Sequence, residues 1–220
     1  MDARVWSIVV DSFGKLLIPG LTVTIPLTLI SFALGLLLAI IVALIRVAKV
    51  PVAAQIAWVY VWVFRGTPLL VQLFVIFFGL PSIGITIPAL PSAVIAFSLN
   101  VGAYASETLR GAILAVPKGQ LEAGYAVNMP YVTIMRRIVL PQAFRSAFPA
   151  LFNTFIGLVK DTSLAANITV VEMFMAAQRV VAVYYEPLVL YIEVGLIYLL
   201  FSTVLTWLQQ YCEKKLNAHF

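Results

Sequence analysis

Asn100, Tyr104 and Glu107 recur at i, i+4 and i+7, so a helix through them carries an amide, a phenol and a carboxylate on one face. The residues around them are largely apolar. An ionised glutamate inside an apolar membrane segment is costly and must face protein or water. Two uses fit that face: ligands along the path of a polar solute, or glue between helices with Glu107 paired to Arg110 near the interface. A second polar group, Lys160-Asp161-Thr162-Ser163, ends an apolar run that begins at Ser146. Its adjacent opposite charges suit a zwitterion or each other, and suit equally an ordinary helix end at the outer interface. A third, Arg65-Gly66-Thr67-Pro68, interrupts another apolar run. Glycine and proline there would expose backbone carbonyls and the Thr67 hydroxyl to a cavity, as broken helices do, or would make a kink with Arg65 reaching to the cytoplasmic interface. Thr67 and Gln72 are the better ligand candidates of that stretch.

The elements that must position these groups are membrane helices. The 220 residues are 63% hydrophobic and 10% charged, against about 45–50% apolar and about 25% charged in soluble domains. Such a chain cannot cover a soluble surface with polar groups. A soluble enzyme, a nucleic-acid-binding domain and a disordered chain are excluded, and the main solvent is lipid. Cys212 is the one cysteine and His219 the one histidine, which leaves no internal disulfide, no cysteine cluster and no histidine-rich metal site.

Spans are expected over 16–46, 52–80, 90–116, 138–160 and 187–211, in one transmembrane domain covering 1–220. Met1–Lys15 reads as a separate interfacial segment, with Val5, Trp6, Val9 and Phe13 toward lipid. Residues 164–185 stay open, as a loop or a return into the membrane. The net charge of +5 fits basic anchors on the cytoplasmic side: Arg46, Lys49, Lys118, Arg136, Arg137, Lys214 and Lys215 lie together when the N-terminus is outside and the C-terminus inside.

The stretch 117–137 is the most polar of the chain. Two short helices joined near Asn128 would make a compact cytoplasmic knob, suited to docking in a partner's groove; a plain loop with basic anchors is the simpler use. No G-x-x-x-x-G-K-[ST] run is present, so this chain binds no ATP by that device.

That loop reads Glu122-Ala123-Gly124, then Asn128, then Ile138-Val139-Leu140-Pro141. It resembles the EAA loop of ABC importer permeases, with E-A-A, a glycine, then I-x-L-P. Gly124 stands where the second alanine is usual and Asn128 where the glycine is usual; asparagine is the next residue most able to take positive φ. Phe64–Leu73, Ala103–Arg110, Leu140–Ala143 and Leu158–Leu164 are similar to the polar-amino-acid branch, nearest in flavour to cystine-type permeases and similar also to histidine, arginine and glutamine permeases. The resemblance runs from about Gly20 onward.

The resemblance implies an all-α membrane protein, the five-helix core of a type I ABC importer permease with a cytoplasmic coupling helix, in the bacterial inner membrane. It implies two ATPase subunits that carry ATP and Mg, a second permease chain (identical or different), and an extracytoplasmic solute-binding protein. This chain would be no enzyme and hold no cofactor. Glu122, Ala123, Gly124, Asn128, Ile138, Leu140 and Pro141 would form the ATPase contact. Thr67, Gln72, Asn100, Tyr104, Glu107, Asp161 and Ser163 would lie near the amino acid. The contrasting reading is an ion-coupled carrier or channel, with Glu107 and Asp161 holding the coupling ion.

Overall fold

The structure, a computed structural model, describes residues 3–217; His219 lies outside the described residues. The first helix is longer than the sequence suggests. Helix α1, Ala3–Pro19, passes through a π-helical turn, Gly20–Thr24, into α2, Ile25–Val47. The expected separate N-terminal segment is therefore the first part of this helix. The wide turn absorbs Pro19 and Pro26 without ending it. Trp6 and Phe13 are exposed as expected, while Ile8, Ser12 and Leu16, at i, i+4 and i+8, are buried.

Helix α3, Ala53–Gly66, ends at Thr67-Pro68, and α4, Leu69–Phe74, continues through π and 3-10 turns to Ile83. The two halves are bent by 108°, so 52–80 is a broken element and not one rod. Helix α5 is Ala89–Ala115; α6, Lys118–Ala126, and α7, Tyr131–Ile134, fill the polar stretch; α8 is Leu140–Asp161. A 3-10 turn over Thr162–Ile168 leads to α9, Met173–Tyr184, and α10 is Pro187–Asn217. Three helices are long and apolar enough to cross a membrane, Arg4–Val47, Ala89–Ala115 and Pro187–Leu216, and up to five if each of two bent pairs is one span. The second pair joins 131–168 to α9 at 55°.

Two large cores, and a small cluster of Val42, Ala57 and Val61 between α2 and α3, hold these helices. The larger lies among α2, α5 and α8, around Leu27, Ala39, Ala96, Phe97, Val101, Ala147 and Leu158. Small residues let the backbones approach, the usual device where lipid removes any hydrophobic drive between helices. At Gly35 a Cβ would stand 2.7 Å from Val101 Cγ1 and 2.9 Å from the Ser98 carbonyl oxygen, so α2 meets α5 only with glycine there. The outer faces carry Ile30, Leu34, Leu37 and Ile41 on α2, and Leu188, Ile192, Leu196 and Leu199 on α10, all exposed as lipid-facing residues should be.

The smaller core joins α1, α9 and α10 through Ile8, Leu16, Met173, Ala177, Leu190 and Ile197. It is stitched by buried polar groups. The Glu172 carboxylate caps α9, accepting from the backbone N–H of Met175 at 2.7 Å and of Phe174 at 2.8 Å, which satisfies two of the helix's free donors. The Tyr198 hydroxyl donates to the same carboxylate at 3.0 Å. Thr24 Oγ1 accepts from Met173 N–H at 3.3 Å, and the Ser12 hydroxyl donates to Glu193 at 2.6 Å.

Candidate functional site

The break between α3 and α4 begins the site. Pro68 has no N–H to continue a helix and drives the residue before it into extended backbone; Thr67 has φ −121° and ψ 147°. Two of the carbonyls freed by this break are taken up by a side chain. Gln72 Nε2 donates toward Phe64 O at 2.9 Å, Thr67 O at 3.1 Å and Thr67 Oγ1 at 3.0 Å. Gln72 Oε1 in turn accepts from Asn100 Nδ2 at 3.1 Å. Gln72 is buried; it mends the break and fixes Asn100, and it is no lining residue.

In front of it lies a cavity of about 360 Å³, lined among others by Thr67, Pro68, Asn100, Tyr104, Thr154, Gly157 and Asp161. That volume is in the range of small-molecule sites. Thr67 comes from the broken element, Asn100 and Tyr104 from α5, and Asp161 from the last turn of α8. The cavity thus gathers one carboxylate, one amide, one phenol and hydroxyls between apolar walls. Ser163 does not join them: its hydroxyl donates to Lys160 O at 2.7 Å.

Glu107 turns to a different neighbourhood. Its carboxylate pairs with Arg46 from the end of α2, accepts from Arg110 at 2.9 Å, and lies 3.8 Å from Arg65. The pairing with Arg110 expected from the sequence is present, and two further guanidiniums share the carboxylate. Arg65 does not simply reach to an interface. Its guanidinium stands 5.4 Å from the centre of the Tyr104 ring, so Tyr104 is held between the cavity and the arginine cluster.

The polar loop is a compact helix-turn-helix. Asn128 takes φ 59°. Asn128 N–H donates to Tyr125 O at 2.9 Å and Met129 N–H to Gly124 O at 3.0 Å, the paired bonds of a Schellman end to α6. Glu122 and Ala123 are exposed, whereas Gly124 is buried and a Cβ there would stand 2.7 Å from Ile134 Cγ1. Ile138 and Leu140 pack partly into the larger core. Pro141, exposed, follows a π-helical turn over Met135–Val139 that carries α7 into α8, and the wide turn accommodates its missing N–H.

Residues 35–218 match the family model described as "Binding-protein-dependent transport system inner membrane component". The chain belongs to this family. As a permease it is 50% identical, over 97% of its length and 92% of the relative's, to the L-cystine transport system permease protein TcyB of Bacillus subtilis (strain 168). It is 37% identical, over 92% of its length and 93% of the relative's, to the arginine transport system permease protein ArtQ of the same organism. It superimposes with a TM-score of 0.90 at 32% identity on a solved amino acid ABC transporter, covering 98% of this chain and all of the other. The MetNI methionine ABC transporter in its inward-facing form gives 0.74 at 17% identity, covering 98% of this chain and 99% of the other, and shares the type I importer fold. The protein is therefore an all-α permease subunit of an amino-acid ABC importer, a multi-helix membrane protein.

The permease places two kinds of residue at the site that sequence reading passes over. Thr154, Gly157 and Leu158 line the cavity with Asp161. Their i, i+3, i+4, i+7 spacing was available in the sequence, but an apolar run masks a face defined by a glycine and one threonine. Arg46, read as a basic anchor, is also a partner of Glu107; no local spacing links two residues so far apart in the chain.

Proposed function

We propose that this permease carries a polar L-amino acid, cystine or a cystine-like one, through the cavity between Thr67, Asn100, Tyr104 and Asp161. The observation that carries this reading is the cavity itself: a carboxylate with neutral hydrogen-bonding groups between apolar walls. A zwitterion offers an ammonium for Asp161, with Asn100 and Tyr104 as further acceptors. Its carboxylate needs donors: the second N–H of the Asn100 amide is one, and the hydroxyls of Thr67 and Thr154, which here donate to Val63 O and Ala150 O, would turn from those carbonyls to it. Cystine is favoured by the half-identical relative named for it. Glu107 serves the shape of the cavity through Arg65 and Tyr104, and Gln72 serves it through Asn100.

In this reading the loop over 117–137 faces the cytoplasm of a bacterial inner membrane, with the N-terminus outside. Exposed Glu122 and Ala123 enter a groove of a separate ATPase, which holds ATP and Mg. Asn128 turns the chain, and Ile138, Leu140 and Pro141 pass the movement into α8. Two ATPases, a second permease chain and an external solute-binding protein complete the importer. The five expected spans follow, with the two bent pairs each crossing once. Glu107 is a poor carrier of a coupling ion, because three guanidiniums occupy its carboxylate.

The test is nucleotide-dependent uptake of a panel of amino acids by the co-purified complex in vesicles. L-Cystine uptake that requires ATP and the binding protein is expected, and Glu122→Lys should separate ATP hydrolysis from uptake. Uptake by this chain alone, without nucleotide, refutes the reading.

A further inference from the structure

Next to Tyr104, about one turn further along α5, is a second cavity of about 290 Å³, lined by Arg46, Trp58, Trp62, Arg65 and Glu107. Among the described residues, Glu107 is the only carboxylate within 4.0 Å of Arg46, Arg65 or Arg110. Three guanidiniums share one carboxylate, so two positive charges stay uncompensated. The compensated pair is the buried one, with the Arg46 side chain 15% and that of Glu107 19% exposed; the side chains of Arg110 and Arg65 are 32% and 44% exposed, open to an anion from outside. The free capacity is at Arg65, whose distance to Glu107 is 3.8 Å, beyond a good charge-assisted hydrogen bond. The wall beside it is aromatic. Trp58 and Trp62 are exposed and stacked, with ring centres 6.1 Å apart and planes 5° apart. Exposed indoles on α3 beside Arg46, in the last turn of the long apolar helix α2, suit the depth of lipid headgroups, and basic pockets between helices there hold anionic headgroups.

We propose that this second cavity binds the phosphate of an anionic phospholipid between Arg46 and Arg65, with the lipid lying along Trp58 and Trp62. The carboxylate of an amino acid offers related oxyanion chemistry, but the indoles match a lipid, and the Arg65–Tyr104 pair walls this cavity from the first. The inference rests on α2, α3 and α5 lying in a membrane, and not on which solute is carried.

The experiment uses the whole importer complex in neutral detergent, with phosphatidylglycerol and phosphatidylcholine at equal mole fraction, and counts retained lipids by native mass spectrometry. Phosphatidylglycerol should be retained over phosphatidylcholine, and Arg65→Gln should lower its retention roughly fivefold. Glu107→Gln, which removes the competing carboxylate, should raise it. Arg46→Gln is a poor probe, since Arg46 also joins α2 to α5. The second measurement therefore keeps the arginines intact: with Trp6 and Trp207 replaced by Phe, brominated phosphatidylglycerol should quench Trp58 and Trp62, read as the difference from the complex that also carries Trp58→Phe and Trp62→Phe, at lower mole fraction than brominated phosphatidylcholine. Equal retention, equal quenching, or full retention in Arg65→Gln overturns the proposal. Displacement of the lipid by millimolar inorganic phosphate or amino acid assigns the cavity to a soluble oxyanion and overturns it equally.

Discussion

Gly124→Ala restores the second alanine of the E-A-A pattern, and it should nonetheless weaken this chain. A Cβ at 124 would stand 2.7 Å from Ile134 Cγ1 and 2.8 Å from its Cδ1, whereas carbon atoms settle at about 3.5–4.0 Å. Ile134 is fully buried, so it must shift by roughly 1 Å against packed neighbours. Overpacking of this kind costs about 1–3 kcal/mol. Alanine in a helix regains about 1 kcal/mol relative to glycine. The net loss is then about 1 kcal/mol, within a range of roughly 0–2 kcal/mol. Ile134→Ala alone leaves a void worth about 2–5 kcal/mol. In the double variant the new methyl enters that void, so the pair should be better than additive by about 1–3 kcal/mol. Thermal unfolding of the purified complex reads the stability, and the ratio of solute moved to ATP hydrolysed reads the loop. Wild-type stability for Gly124→Ala, together with an additive cycle, would refute the packing argument.

Other outcomes follow from the same geometry. Asn100→Ala leaves buried Gln72 Oε1 without its partner, at about 1–3 kcal/mol; the melting midpoint and the uptake rate should both fall. Asp161→Asn should lower uptake roughly 10–150-fold, the worth of a charge-assisted hydrogen bond, while co-purification with the ATPase stays at the wild-type level; unchanged uptake removes Asp161 from the solute path. Asn128→Gly should be nearly neutral, whereas Asn128→Val at φ 59° should cost about 1–3 kcal/mol of local strain and reduce ATPase co-purification. Equal behaviour of the two variants would show that the turn does not set the loop.

Much of the fold was legible because lipid imposes long apolar runs, and α5 and α10 begin within a residue of theirs. The loop was legible for a different reason: turn chemistry is local, so Asn128 announces a turn that the backbone makes. What escaped depends on contacts distant in sequence. Proline and glycine near position 20 read as a start, but a π-helical turn carries α1 into α2, and only packing against α9 and α10 explains why that part stays helical. Arg65-Gly66-Thr67-Pro68 announced a break, while its bend of 108° and the use of Gln72 to close it depend on where α5 lies. Asn100, Tyr104 and Glu107 share a face as spaced, yet one turn separates two environments, so the first two line the cavity and the third does not.

The smaller core also sets an order of assembly. Most residues of the larger core lie between Leu27 and Val170 and can pack as the chain emerges. Helix α1 must wait, because the partner of Ser12 is Glu193, 181 residues later. At about 5–20 residues per second that delay is roughly 10–40 s. Through most of it the buried face of α1 has neither α9 nor α10 to cover it, and Thr24 waits for the N–H of Met173. The last helix made is thus the one that fastens the first, and a chain stalled before Glu193 would leave its N-terminal helix as an uncovered surface for quality control to find.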